Sequence, residues 1–208
     1  MNVLIIGSGA REHVFCWKIK QSSGCDSLYV APGNAGTNKI ATNLDINISN
    51  FLEIKEILII KKIGLLIIGP EIPLINGLVD FIKQQPELKD ILVIGPSISG
   101  AMLEGSKDFS KDFMFKHKIP TASYKTFNAN TIDDGIDYLE TIPPPYVLKA
   151  DGPAAGKGVL ILENLPQAKE ELSNMLIHNK FGDSGNKVVV EGFLKGIELS
   201  CFVLFDGK

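Results

Sequence analysis

Four short runs of large apolar residues, each closed by a glycine-bearing loop, constrain the fold of this chain more than anything else in it. Val3-Leu4-Ile5-Ile6 stops at Gly7, and Ser27-Leu28-Tyr29-Val30 leads into Pro32-Gly33-Asn34-Ala35-Gly36. Leu65-Leu66-Ile67-Ile68 stops at Gly69-Pro70-Glu71, and Ile91-Leu92-Val93-Ile94 at Gly95-Pro96-Ser97. Uninterrupted apolar runs of this length suit parallel strands buried on both faces. The stretches between them read as helices: Arg11 to Gln21, Phe51 to Lys62 and Leu78 to Gln84. In the first of these, Val14, Phe15, Trp17 and Ile19 are the candidate packing positions. Strands alternating with helices imply βαβ units and a parallel α/β sheet. The loops at the carboxyl ends of such strands form the ligand crevice, so a small-molecule site is expected there.

Past residue 100 the rhythm changes. Leu103 to His117 reads as one charged helix, ended near Pro120 because proline cannot continue it. Ile132 to Thr141 and Pro166 to His178 read as further helices. Strands are expected at Tyr146 to Ala150, Gly158 to Leu162, Lys187 to Glu191 and Leu199 to Phe205, with hairpin-type connections. The shift places a domain boundary close to residue 100, giving domains 1–100 and 101–208. Asp206-Gly207-Lys208 reads as a hairpin turn awaiting a return strand, so the natural protein is expected to continue.

Composition enters mainly by exclusion. A formal net charge of -3 argues against a nucleic-acid partner, which calls for a basic footprint. No apolar run approaches the roughly 20 residues that span a bilayer. The strand at Met1 to Ile6 is not preceded by a basic n-region, so a signal peptide is not expected. Cys16, Cys25 and Cys201 are widely spaced, which fits free thiols in a reducing, cytoplasmic setting and small buried apolar roles. No His or Cys spacing suggests zinc.

Three segments carry candidate chemistry. Gly7-Ser8-Gly9-Ala10-Arg11-Glu12 follows a strand and opens a helix, where backbone N–H groups can meet an anion. It lacks the third glycine of the dinucleotide fingerprint and reads equally as a plain βα turn. Asp151-Gly152-Pro153-Ala154-Ala155-Gly156-Lys157-Gly158 is a glycine loop bearing a lysine, suited to phosphates, with Lys149 on the incoming strand. An ordinary hairpin with a solvated lysine is the competing reading. Glu191-Gly192-Phe193-Leu194, followed by Gly196 to Ser200, is a strand, a connector and a strand, able to offer backbone groups to a base and a carboxylate to a sugar. Taken singly, Glu191 and Glu198 read as surface acids.

Together with Pro32 to Thr37, Gly69 to Leu74 and Leu103-Glu104-Gly105-Ser106-Lys107, these stretches resemble, in order from residue 1 to 208, the glycinamide ribonucleotide synthetase family of ATP-grasp ligases. The resemblance implies a pre-ATP-grasp, Rossmann-like domain followed by an incomplete α+β ATP-grasp region. It implies ligation of glycine to phosphoribosylamine with ATP and Mg2+ or Mn2+, through an acyl phosphate of glycine. It assigns Lys107, Lys149 and Lys157 to ATP phosphates, with Lys149 and Lys157 catalytic. Asp151, Gly152, Ala155, Gly156 and Gly158 complete the phosphate loop. Glu191, Gly192, Phe193 and Leu194 meet adenine, and Glu198 the ribose. Gly9, Ala10, Arg11, Glu12, Asn34, Ala35, Gly36, Glu71 and Pro73 hold phosphoribosylamine. Metal ligands and most of the glycine site are expected beyond residue 208, so the 208 residues alone should not complete the reaction. The family pattern has Gly at position 10 and a second Glu at position 192; here Ala10 and Gly192 stand there. Two rival readings are another ATP-grasp carboxylate–amine ligase and a non-catalytic nucleotide-binding fragment.

Overall fold

A computed structural model describes residues 1–154, 156–201, 203 and 205. The chain divides into two compact units, Met1–Ser110 and Lys111–Lys208.

The first unit is a five-stranded parallel sheet with the order β3-β2-β1-β4-β5. The strands are β1 (Asn2–Gly7), β2 (Ser27–Pro32), β3 (Thr42–Asn43), β4 (Ile63–Ile68) and β5 (Leu92–Ile94). The apolar runs therefore form parallel strands, and alternate residues of β1 serve opposite faces. Leu4 and Ile6 pack with Ile54 and Leu58 of α2 (Phe51–Ile60) and with Leu78, Val79 and Ile82 of α4 (Leu78–Lys83). Val3 and Ile5 pack with Cys16 of α1 (Ala10–Ile19). Burial of this kind stabilises by about 1.5–3 kcal/mol per large aliphatic side chain.

Two expectations fail in this unit. Helix α1 does not pack through Val14, Phe15 and Trp17, which are exposed; Glu12 and Cys16 are buried, and Ile19 is half-buried against the core. Positions 12, 16 and 19 make a narrow i, i+4, i+7 stripe, and one stripe is all a helix needs on a single face. Burial also pushes the Cys16 thiol up to about 11, with the Glu12 charge adding to the effect. The helix read over Leu103 to His117 is two helices, α5 (Ile98–Gly105) and α6 (Lys107–Lys116). Ser106 between them is extended, and its Oγ accepts the Phe109 N–H at 3.1 Å, an N-cap that restarts the chain. A short helix not foreseen, α3 (Glu71–Ile75), follows β4.

The second unit holds a four-stranded antiparallel sheet with the order β6-β9-β7-β8. Its strands are β6 (Tyr124–Asn128), β7 (Tyr146–Ala150), β8 (Val159–Leu162) and β9 (Lys187–Glu191). Leu148, Val188 and Val190 pack with Leu139 of α7 (Ile132–Thr141) and with Leu172 and Met175 of α8 (Leu165–Leu176). Strict alternation then puts Val147, Lys149, Val189 and Glu191 on the other face. The strand expected at Leu199 to Phe205 is absent at each of its described residues. Leu199 is 79% exposed and Val203 79%, so nothing among the described residues pairs with the segment or covers it. The turn expected at Asp206-Gly207-Lys208 lies outside the described residues. Cys201 is exposed, unlike the buried role expected of it. Among the described residues no helix is long and apolar enough to cross a membrane.

Candidate functional site

In the first unit three strand-end loops converge. The Asn34 side chain donates from Nδ2 to the Ser8 carbonyl at 2.9 Å, joining the loop after β2 to the loop after β1. Its Oδ1 accepts the N–H groups of Gly36 at 2.7 Å and Thr37 at 3.0 Å. Asn43 holds the same loop by donating to the Asn34 carbonyl at 2.9 Å. Arg11 Nη1 donates to the Gly69 carbonyl at 3.0 Å and lies 3.9 Å from Glu71, tying in the loop after β4. A cleft of about 430 Å³ is lined by Gly7, Ser8, Gly9, Ala10, Arg11, Glu12, Ile48, Gly69, Pro70 and Glu71. Its floor is the N-terminus of α1, whose positive dipole end favours an anion.

Glu12 organises this cleft from within. The carboxylate is buried and accepts the Gly9 N–H at 2.6 Å, the backward half of a capping box. Glycine is needed on both sides of it. Gly7 has φ +130, and a Cβ there would stand 2.6 Å from the Glu12 carboxyl carbon. A Cβ on Gly69 would overlap Glu12 Oε1. Gly69→Ala is therefore expected to destabilise the fold by about 1–3 kcal/mol, the usual cost of overpacking. Urea unfolding measures this; an unchanged midpoint would mean the carboxylate moves aside freely. Ala10, where the family pattern has glycine, is the first residue of α1 and exposed, so its methyl is accommodated. Pro73 is buried within α3, Ala35 is exposed and Gly36 half-buried.

In the second unit Lys149 and Glu191 are diagonal neighbours on the face away from α7 and α8. Val147 pairs with Glu191 and Lys149 with Val189, so the two long side chains can meet. Lys149 Nζ lies 3.0 Å from Glu191 Oε2. A second ammonium, Lys111 of α6, reaches the same oxygen at 3.0 Å. Glu191 and Lys111 are almost fully buried, while the Lys149 side chain is 28% exposed. The glycine loop runs off β7. Its stem is closed by Ala150 N–H to the Gly158 carbonyl at 2.7 Å and by Gly152 N–H to the Ser184 carbonyl at 3.1 Å. The Ser184 hydroxyl donates to the Pro153 carbonyl at 2.6 Å. Gly156 takes φ +77 at the turn, and Lys157 beside it is exposed. Ala155 lies outside the described residues.

The remaining expected ligands lie on other segments of the chain. Gly192 donates its N–H to the Ser123 carbonyl at 2.9 Å. Phe193, Leu194 and Glu198 are exposed in a segment without regular structure. Lys107 begins α6, and Asp151 directly follows Ala150, the last residue of β7. Sequence reading missed Lys111 and Ser184. The Ser184 signal was the Gly182-Asp183-Ser184-Gly185 cluster, a turn composition; for Lys111 it was the four-residue step from Lys107 on one helix.

The comparisons with known proteins agree along the whole chain. Residues 1–104 match the family described as Phosphoribosylglycinamide synthetase, N domain, and residues 105–208 match its ATP-grasp (A) domain. The chain is 44% identical over 211 residues to a phosphoribosylamine–glycine ligase of Haemophilus influenzae, covering 100% of this chain and 48% of that one. A ligase of the same name from Pseudomonas aeruginosa is 43% identical over 210 residues, with 100% and 47% covered. A crystal structure of the Thermotoga maritima phosphoribosylamine–glycine ligase superposes with a TM-score of 0.71 at 32% identity, over 95% of this chain and 45% of that one. The chain spans about half the length of the curated relatives it matches. With both domains of the family matched in sequence order over residues 1–104 and 105–208, the chain belongs to the phosphoribosylglycinamide synthetase family.

Proposed function

We propose that the protein carrying these residues joins glycine to 5-phosphoribosylamine, converting ATP to ADP and phosphate and releasing glycinamide ribonucleotide for purine synthesis. The observation that supports this most is the coexistence of two differently built sites in family order: an anion cleft at Gly7 to Glu12 and a glycine-loop hairpin with Lys149 and Lys157. The cleft suits the phosphate of phosphoribosylamine, met by N–H groups at the α1 N-terminus and by Arg11. Glu12 and Glu71 line the cleft; Asn34 ties its own loop to it through the Ser8 carbonyl, and Ala35, Gly36 and Pro73 lie in the adjoining loop segments. In the second domain Lys107, Lys149 and Lys157 neutralise the phosphates of ATP. Backbone N–H groups of Gly156 and Gly158 cradle them, with Asp151 and Gly152 at the loop entrance. The strand end at Glu191 and the following Gly192, Phe193 and Leu194 receive adenine, and Glu198 the ribose.

The chemistry asked of these residues is electrostatic. Glycine's carboxylate attacks the γ-phosphorus, the bond to the β-phosphate oxygen breaks, and ADP leaves. The amine of phosphoribosylamine then attacks the resulting acyl phosphate, expelling inorganic phosphate and losing a proton. Ammonium groups near the transferring phosphoryl oppose charge that grows in the transition state. Such enzymes employ a divalent cation, Mg2+ or Mn2+. Among the described residues no group of three His, Cys, Asp or Glu side chains could hold one. The free thiols fit a cytoplasmic setting, and the net charge of -3 fits small-molecule rather than nucleic-acid partners.

The reading is tested with the complete polypeptide, Mg-ATP, glycine and phosphoribosylamine formed in situ. ADP and glycinamide ribonucleotide are expected to appear together, and only with both co-substrates present. ADP release that follows bicarbonate, or another carboxylic acid in place of glycine, would assign the protein to a different ATP-grasp reaction.

A further inference from the structure

Glu191 accepts two ammonium groups on one oxygen, and only one of them has anywhere else to go. Lys149 sits near the carboxyl end of β7, where the glycine loop begins, with more than a quarter of its side chain in solvent. Lys111 is enclosed. Besides Glu191 it donates to Thr121 Oγ1 at 2.8 Å, and its ammonium stands 5.7 Å from the Tyr124 ring centroid. Tyr124 is itself the cross-strand partner of Glu191, and its hydroxyl donates to Asp112 at 2.7 Å. Helix α6 and strand β6 thus hold Lys111 in place, and the cluster of two ammoniums and one carboxylate carries one surplus positive charge.

That surplus changes what Lys149 can do. In a simple Lys149–Glu191 pair, withdrawal of the lysine toward a nucleotide would leave a buried carboxylate uncompensated, which is strongly unfavourable. With Lys111 in place the carboxylate keeps a partner whichever way Lys149 turns. We infer that Lys111 is a positioning residue: it holds the counter-charge of Glu191, so that Lys149 can leave the carboxylate for the phosphates of ATP. The inference rests on the reading of Lys149 as a phosphate ligand. Lys111 itself touches neither substrate nor reacting atoms.

The cluster predicts a suppression pattern that a purely structural lysine would not give. ATP affinity is measured calorimetrically in the complete polypeptide for wild type, Lys111→Met, Lys111→Arg, Glu191→Gln and the double variant Lys111→Met/Glu191→Gln. Lys111→Met traps Lys149 on Glu191 and is expected to weaken ATP binding by about tenfold or more, the effect of one lost charge-assisted contact. Lys111→Arg keeps the charge and is expected to stay within about threefold of wild type. The double variant removes the trap, so its affinity should return to that of Glu191→Gln. Wild-type affinity in Lys111→Met, or a double variant weaker than Glu191→Gln by about tenfold, overturns the inference and leaves the proposed function standing. Should Lys111→Met fail to melt cooperatively, Lys111→Gln, which keeps a hydrogen-bonding end without the charge, takes its place with the same expected loss and the same overturning result. A wild-type protein that binds no ATP overturns the proposed function itself, and this inference with it.

Discussion

Lys149→Ala in the complete enzyme should lower turnover by about a hundredfold to a thousandfold, with a much smaller change in the Michaelis constant for ATP. During phosphoryl transfer charge migrates toward the bridging and transferring oxygens, so a cation there helps the transition state beyond the ground state. By analogy with a lost oxyanion donor, the deletion costs about 2.7–4 kcal/mol of barrier. The fold should survive it. Glu191 keeps Lys111 at 3.0 Å, and the Lys149 side chain is already partly in solvent. Lys157 offers the contrasting case. It is exposed beside Gly156, which bends the loop at φ +77. Its removal should loosen the closed loop over the nucleotide and raise the Michaelis constant for ATP. Steady-state kinetics at saturating glycine separate the two. Wild-type turnover in Lys149→Ala would show that its ammonium takes no part in the chemistry.

What could be read from sequence followed from strong periodic signals, and what could not followed from pairings between distant segments. Val3 to Ile6 and Leu65 to Ile68 are long enough apolar runs to declare parallel strands, and the structure forms them. The convergence of Gly9, Asn34 and Glu71 follows from the rule for strand-end loops, and hydrogen bonds now join their loops. The packing face of α1 was not legible, because Val14, Phe15 and Trp17 are more apolar than Glu12. Glu12 is buried only because Gly7, Gly9 and Gly69 leave room for its carboxylate and one of them supplies an N–H. The break between α5 and α6 was legible in Ser106, a good N-cap, but the charged residues after it looked like uninterrupted helix. Strand β6 carries Lys125 and Asn128 and has no continuous apolar run; it is a strand because β9 offers it an edge. The Lys111–Glu191–Lys149 cluster joins residues as much as 80 positions apart, and no local pattern announces that Lys111 will reach that sheet face.

Glu191→Leu should destabilise the fold by about 3 kcal/mol or more, in the range found when one partner of a buried ion pair is removed. The leucine fills most of the space, so lost packing is a minor part of the cost. The larger part is the charge left behind. Lys149 can turn its ammonium to water, since its side chain is 28% exposed and its stem can stay on the sheet. Lys111 cannot; its side chain is 7% exposed, and what remains to it is the Thr121 hydroxyl and the face of Tyr124. One trapped cation rather than two sets the expectation toward the lower end of the 3–5 kcal/mol range for such losses. Lys111→Met/Glu191→Leu then removes both buried charges and should recover most of the loss, because apolar side chains of similar volume often replace a buried ion pair at little cost. Urea unfolding of the wild type and the two variants measures this. Stabilities within about 0.5 kcal/mol of wild type for Glu191→Leu would show that Lys111 reaches water without the carboxylate, as an ordinary surface lysine does.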